Sequence, residues 1–145
     1  MSEVVLALDV GDARIGLARG EVGSRFAFGR GYITRKKLED DVAELQEVTQ
    51  QENATTLVIG LPKRSDGTDS KQTVKVRSFA KELEKRGFKV VLEDERFTTR
   101  IATRGITRSG LPKTKRQSKG RVDEASAILI LESYLARLSA QNEVS

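Results

Sequence analysis

The stretch Val4-Val5-Leu6-Ala7-Leu8-Asp9-Val10-Gly11 predicts a central β-strand that carries one carboxylate close to its end. The run is apolar on both faces, which is typical of a strand covered by other elements on each side. A carboxylate inside such a strand costs free energy unless a cation, a metal or several amide donors compensate its charge. Asp9 is therefore a candidate functional residue, and the alternative is a solvated strand-end aspartate that helps to close a turn.

The composition excludes several classes of active site. The 145 residues include no cysteine and no histidine, which excludes disulfides, Cys- or His-ligated metals, thiolate nucleophiles and histidine bases. No apolar run is long enough to span a bilayer, and the first residues lack the pattern of a leader. We expect a cytoplasmic protein with one domain over residues 1–138, followed by a frayed tail over residues 139–145.

Positive charge is concentrated in one segment. The chain has 26 basic and 21 acidic residues, and nine basic residues but no acidic one fall between Arg96 and Arg121. Such a segment on a mildly acidic body favours a surface that binds a polyanion. Because the segment is poor in aromatic residues, contacts with a nucleic-acid backbone are favoured over base stacking. The alternative is a solvated basic loop that only aids solubility.

The remaining patterns predict an α/β fold with a mixed five-stranded sheet and helices on both faces. Short glycine-containing links make the first three strands an antiparallel meander. Helical crossovers then place the last two strands parallel to the first. The predicted strands after the first cover residues 14–20, 25–33, 56–62 and 88–94; the helices cover residues 35–52 (capped by Thr34), 71–86, 99–107 and 121–138; and a flexible basic loop covers residues 109–120.

Three carboxylates that are distant in the sequence are predicted to lie near the same edge of this sheet. Asp9 ends the first strand, Glu95 follows the fifth and Asp123 opens the last helix, and ligands of α/β proteins bind at that edge. Oxygen-only ligands suit Mg²⁺ or Mn²⁺, and a pair of such ions can cleave a phosphodiester without histidine or cysteine. Two alternatives stay open: Glu95 pairs with Arg96 or Arg100, and Asp123 only favours the positive end of its helix.

Four segments resemble the signature blocks of the YqgF (RuvX) family in their order and spacing. They are residues 8–18, which include Asp9-Val10-Gly11; residues 58–62 with Asp66-Gly67-Thr68; residues 94–99, which begin Asp94-Glu95-Arg96; and residues 119–135, which include Val122-Asp123-Glu124. The resemblance implies an RNase H-like fold and a bacterial nuclease that matures the 5′ end of the 16S ribosomal RNA precursor. A Holliday-junction resolvase and a non-catalytic RNA-binding module are the alternatives.

The resemblance also assigns roles by position. Asp9, Glu95 and Asp123 match the catalytic acids that bind one or two Mg²⁺ or Mn²⁺ ions. Arg14 matches the arginine beside the first acid, and Lys119 matches a basic residue just before the third. These two and further residues of the basic segment are expected to contact the nucleic acid, and the further residues are Arg96, Arg100, Lys113, Lys115, Arg116 and Arg121.

The chain departs from RuvC-type resolvases at two of their acidic positions. Gly60-Leu61-Pro62 stands where they carry the second acid, and Ser126 stands where they carry the fourth. Glu95 must then serve from the fifth strand, and Glu93 is an alternative to it. We expect a monomer or a weak homodimer.

Overall fold

The computed structural model describes residues 3–97 and 115–144, which form one mixed five-stranded sheet with helices on both faces. The elements are β1 (Val4–Val10), β2 (Arg14–Glu21), β3 (Ala27–Thr34), α1 (Leu38–Glu52), β4 (Ala54–Leu61), α2 (Lys71–Lys85), β5 (Val90–Asp94), a 3₁₀ turn (Glu95–Phe97) and α3 (Lys115–Val144). The strand order is β3-β2-β1-β4-β5. The β1–β2 and β2–β3 pairs are antiparallel, and β4 is parallel to both β1 and β5. The predicted architecture is therefore confirmed.

The two faces of the sheet have separate hydrophobic cores. Alternate residues of β1 point to opposite faces, so Leu6, Leu8 and Val10 pack with α1 and α2. Val5 and Ala7 pack with α3. By the same alternation, Asp9 lies on the face that α3 covers, beyond the apolar part of that core.

The last helix begins earlier than predicted. Residues 115–120, which were predicted to be part of a flexible loop, form the first turns of α3, and the helix continues to Val144 instead of ending at residue 138. The sequence of these first turns has no apolar stripe to identify them, and Gly120 packs on Tyr32 of the sheet. The predicted helix over residues 99–107 and the loop residues 109–114 lie outside the described residues.

The start of α1 also differs from the prediction. Thr34 ends β3 instead of capping the helix, and the helix begins at Leu38 after Lys37. The fully buried carboxylate of Asp41 accepts hydrogen bonds from the backbone N–H of Lys36 at 2.9 Å and from Arg35 Nε at 2.9 Å. Asp41, which lies inside the helix, thus accepts the hydrogen bonds of the turn that precedes α1. Sequence patterns for helix capping concern the residue before the helix and do not predict this arrangement.

Within the described parts of the chain, no helix combines the length and the hydrophobicity that crossing a bilayer requires.

Candidate active site

Asp9 is a strand residue in a poorly solvated position. It lies opposite Gly16 in the β1–β2 pair. The adjoining turn is closed by its own backbone, through a hydrogen bond from Gly11 N to Arg14 O at 2.9 Å. Burial, and then the negative charge of Asp123, raise the pKa of Asp9 to about 7. Asp9 is therefore not the solvated turn residue that the sequence left as an alternative.

Glu95 reaches toward Asp9 across the intervening strand β4. It begins the 3₁₀ turn directly after β5. A Cβ at Gly60 of β4 would lie 2.4 Å from Ile130 Cδ1 and 2.9 Å from the carboxyl carbon of Glu95, so the glycine leaves space for both side chains. Burial raises the pKa of Glu95 to about 8, with further contributions from the charges of Asp9 and Asp94. The glycine at the end of β4 thus makes room for an acid from β5.

Asp123 is brought to the site by close packing of α3 on the sheet. A Cβ at Gly16 would overlap the backbone carbonyl of Asp123, so the helix rests directly on that glycine. Arg14 Nε donates a hydrogen bond to Asp123 Oδ2 at 2.8 Å. Because α3 begins at Lys115, Asp123 lies about two turns inside the helix, and the idea that it only favours the helix N-terminus is wrong.

The three acids are linked electrostatically through Asp9. Asp9 is near enough to Asp123 and to Glu95 for their charges to interact. Across residues 3–97 and 115–144, however, no three acidic side chains are grouped closely enough to hold a metal ion as they stand. Asp9 and Glu95 are the donors that fit a hard divalent cation, because they are partly buried oxygen ligands that repel each other. Asp123 is meanwhile bound by Arg14.

The raised pKa values predict that the metal-free protein becomes less stable as pH rises. The pKa values of Asp9 and Glu95 increase from 3.8 and 4.5 to about 7 and about 8 on folding. Between about pH 4 and pH 8 the folded protein therefore keeps protons that the unfolded chain has released, and the free energy of unfolding falls by several kcal/mol. Urea unfolding in EDTA at pH 5 and pH 8 measures this loss. Glu95→Gln should reduce it, and equal stabilities of the wild-type protein at the two pH values would contradict the prediction.

Glu93, the proposed alternative to Glu95, has a structural role. Its side chain is buried, accepts a hydrogen bond from Ser133 Oγ at 3.1 Å and forms an ion pair with Arg137, so it ties α3 to β5. A carboxylate committed in this way is a poor candidate for a metal ligand.

Exchanging each glutamate for glutamine should separate these two roles. Glu93→Gln is expected to lower the free energy of unfolding by about 1–3 kcal/mol, because a charge-assisted contact is lost, and to retain cleavage. Glu95→Gln should abolish cleavage without a comparable loss of stability. Denaturation and nuclease assays on both variants measure the free energy of unfolding and the cleavage rate. Loss of cleavage by a folded Glu93→Gln protein would indicate that Glu93 belongs to the catalytic site.

The predicted nucleic-acid-binding residues are only partly described. Arg14 pairs with Asp123, and Arg96 pairs with Asp94, with Nη2 at 2.7 Å from Oδ2. Lys119 and Arg121 are exposed on either side of the buried Gly120. Lys115 and Arg116 lie in the first turn of α3, whereas Arg100 and Lys113 fall outside the described residues.

Two residues around the candidate site, Glu124 and Tyr32, were not predicted from the sequence. Glu124 accepts a hydrogen bond from Gly31 N at 2.6 Å and so fixes α3 against β3. Tyr32 lies opposite Gly16 and packs against Gly120. Spacing in the sequence carries no signal for either contact, because both depend on the strand register and on the path of the helix.

Comparisons with known proteins agree with this architecture. A family model described as RuvX, Holliday junction resolvase, matches residues 3–137. A Thermus thermophilus protein with the provisional name pre-16S rRNA nuclease is 49% identical over 131 residues, which cover 90% of this chain and 96% of that protein. A Deinococcus radiodurans protein named ribonuclease YqgF is 39% identical over 133 residues, which cover 92% of this chain and 88% of that protein.

Among solved structures, the Fowlpox virus resolvase in complex with Holliday junction DNA has a TM-score of 0.56 at 14% identity, covering 93% of this chain and 98% of that chain. At this identity the likeness concerns the fold alone. With a family model over nearly its whole length and relatives of up to 49% identity among those compared, the chain belongs to the RuvX family and has an RNase H-like fold.

Proposed function

We propose that this protein is a divalent-metal-dependent nuclease that cleaves a phosphodiester in the precursor of 16S ribosomal RNA. The observation that carries the proposal is the pair of partly buried carboxylates, Asp9 and Glu95, which interact at the carboxyl ends of β1 and β5. The names of the Thermus and Deinococcus relatives support RNA as the substrate and, within it, the ribosomal precursor. Such a substrate corresponds to a cytoplasmic location.

Some residues of the site would bind the cation, and others would bind the substrate. Asp9 and Glu95 would hold Mg²⁺ or Mn²⁺, because hard oxygen donors suit these ions. The cation would supply a Lewis acid for a phosphate oxygen and would make water more acidic. Arg14 holds Asp123 beside this pair and offsets its charge. The exposed cations Lys119 and Arg121 would neutralise neighbouring phosphates.

Resolution of branched DNA is the second candidate, and the description of the matching family favours it. A resolvase must cut two strands symmetrically and therefore needs two sites in a symmetric dimer. The two candidates thus differ in substrate and in oligomeric state, and both can be measured.

The deciding experiment compares a 5′-labelled RNA that spans the precursor 5′ end with a four-way DNA junction. Each substrate is incubated with Mg²⁺, Mn²⁺ or EDTA. We expect cleavage of the RNA with either metal and none in EDTA. Asp123→Ala should reduce the rate by at least about 100-fold, because the third carboxylate of the site is lost. Asp12→Ala is the matched control, since this acid is exposed in the β1–β2 turn and pairs with Lys75.

Two outcomes would contradict the proposal, and a third would correct the set of residues in the site. Cleavage of the junction with intact RNA would favour the resolvase. Salt-dependent RNA binding without cleavage in any metal would favour a binding module. Equal RNA cleavage by Asp123→Ala and by the wild-type protein would remove Asp123 from the site.

A further inference from the structure

An aromatic side chain lies in the same row of the sheet as the first acid. Asp9 pairs with Gly16 across β1 and β2, and Gly16 pairs with Tyr32 across β2 and β3. Adjacent strands are about 4.8 Å apart, so the backbones of Asp9 and Tyr32 are separated by roughly 10 Å. The backbone of α3 passes over Gly16 between them, with Arg14 bound to Asp123 at this point. Tyr32 therefore lies at the same edge of the sheet as the acids, on the other side of the contact between α3 and Gly16.

The ring of Tyr32 is held in place and is still accessible. A Cβ at Gly120 would lie within 3.0 Å of several ring atoms, so the ring packs directly against the backbone of α3. Glycine inside a helix is less favourable than alanine, and here it leaves the space that the ring fills. Tyr32 nevertheless remains 42% exposed. An ordered aromatic face of this kind loses little conformational entropy when a ligand stacks on it.

Positive charge stands beside this aromatic face. Lys119 and Arg121, which flank Gly120 in α3, are exposed. Neither of them has an ion-pair partner among the residues that the structure describes. An aromatic ring beside available cations is the combination that proteins use to bind single-stranded nucleic acid, because the ring stacks on a base while the cations neutralise phosphates.

We propose that Tyr32 is a stacking site for an unpaired nucleobase of the RNA, located beside the bond that the acids cleave. The proposal rests on the proposed function and adds the form of the substrate: the strand at the site is single-stranded, because a base inside a duplex has no free face for the ring. A strand whose phosphate lies at Asp9 and Glu95 would pass Arg14 and present a nearby base to Tyr32.

Binding measurements in an Asp9→Asn background test this proposal without cleavage. The probes are hexauridine and an oligomer of the same length and charge in which hydrogen replaces every base. Tyr32→Leu should weaken hexauridine binding by about 5- to 100-fold, because one stacked base is lost. Its effect on the base-free oligomer should be less than about twofold, since phosphate contacts are unchanged. Tyr32→Phe keeps the ring and should bind hexauridine nearly as the parent does.

Phe28→Leu is the matched control. Phe28 is an aromatic residue of the same strand and is 59% exposed. It pairs with Arg19, which pairs with Leu6 of the core under α1 and α2, so it lies on the opposite face of the sheet. Its substitution should leave the binding of both oligomers unchanged.

Tyrosine fluorescence provides a readout that does not depend on the folding of Tyr32→Leu. The chain has two tyrosines and no tryptophan. Hexauridine should quench the parent protein, and the base-free oligomer should not. In Tyr32→Phe, where Tyr134 alone emits, hexauridine should leave the signal unchanged.

The proposal is overturned if Tyr32→Leu weakens both oligomers equally or neither of them, or if hexauridine quenches Tyr32→Phe as it does the parent. Its failure is distinguishable from failure of the proposed function. Stacking without cleavage by the wild-type protein in Mg²⁺ or Mn²⁺ refutes hydrolysis only, whereas cleavage without stacking refutes the role of Tyr32 only.

Discussion

Asp9→Asn is expected to abolish metal-dependent cleavage and, at the same time, to stabilise the metal-free protein at neutral pH. The first effect follows because Asp9 is the acid that interacts with both Glu95 and Asp123. We expect the cleavage rate to fall by about a thousandfold or more, as for loss of a central ligand to a catalytic ion. The second follows because asparagine removes a carboxylate whose ionisation burial opposes. The gain should be about 1–3 kcal/mol at pH 8.

Two assays on the same preparation check both halves of this prediction. Cleavage is measured in Mg²⁺ or Mn²⁺, and thermal unfolding is measured in EDTA at pH 8. Asp12→Asn, in the exposed turn that follows β1, should change neither quantity appreciably. A variant that is both inactive and less stable than the wild-type protein would indicate that Asp9 is structural, and undiminished cleavage would end its assignment to the site.

Gly16→Ala is expected to be the most damaging small substitution in the sheet. The added methyl group would overlap the backbone of α3 at Asp123 and Glu124, and a backbone cannot rotate away as a side chain can. Overpacking of this kind costs about 3 kcal/mol or more. If the variant folds, α3 must lift from β2, which moves Asp123 away from Asp9. We therefore expect a lower unfolding midpoint in urea together with loss of cleavage.

Gly20→Ala supplies the comparison on the same strand and under the same helix. Its methyl group would lie 3.1 Å from the ends of Leu131 and Leu135 and from Phe26 O. The leucine ends can adjust, so the loss of stability should be clearly smaller and cleavage should persist. Equal destabilisation by the two substitutions would show that the contact of α3 with Gly16 tolerates a methyl group as well as the contact with Gly20 does.

Much of the fold could be predicted because its signals are local. The apolar run of β1, the glycine-linked strands that follow it and the helical crossovers lead directly to a mixed sheet. The same order of elements places the ends of β1 and β5 at one edge, which is why the sequence alone groups Asp9 with Glu95. Glu95 was predicted to serve from the fifth strand, and Gly60 leaves part of the space that its side chain occupies.

The errors and omissions share a physical cause, since each depends on a contact between distant segments. The first turns of α3 carry no apolar stripe in the sequence, and their described contact with the sheet is made by Gly120, so periodicity could not detect them. Asp41 accepts a hydrogen bond from the backbone N–H of Lys36 before α1, although it lies inside the helix and not at its capping position. No pattern in the sequence distinguishes Glu93 from Glu95, which stands two residues later. The structure shows that Glu93 forms an ion pair with Arg137 and accepts a hydrogen bond from Ser133.

By itself the sequence determined the fold class, the succession of strands and helices along the chain and the absence of histidine and cysteine chemistry, because composition and periodicity are properties of the chain alone. Only the tertiary structure decided that α3 rests on Gly16, that Arg14 holds Asp123, and that Tyr32 shares a row with Asp9. These arrangements depend on strand register and on the close approach of backbones at glycines. Because glycine has no side chain, the sequence pattern does not indicate which segment packs on it.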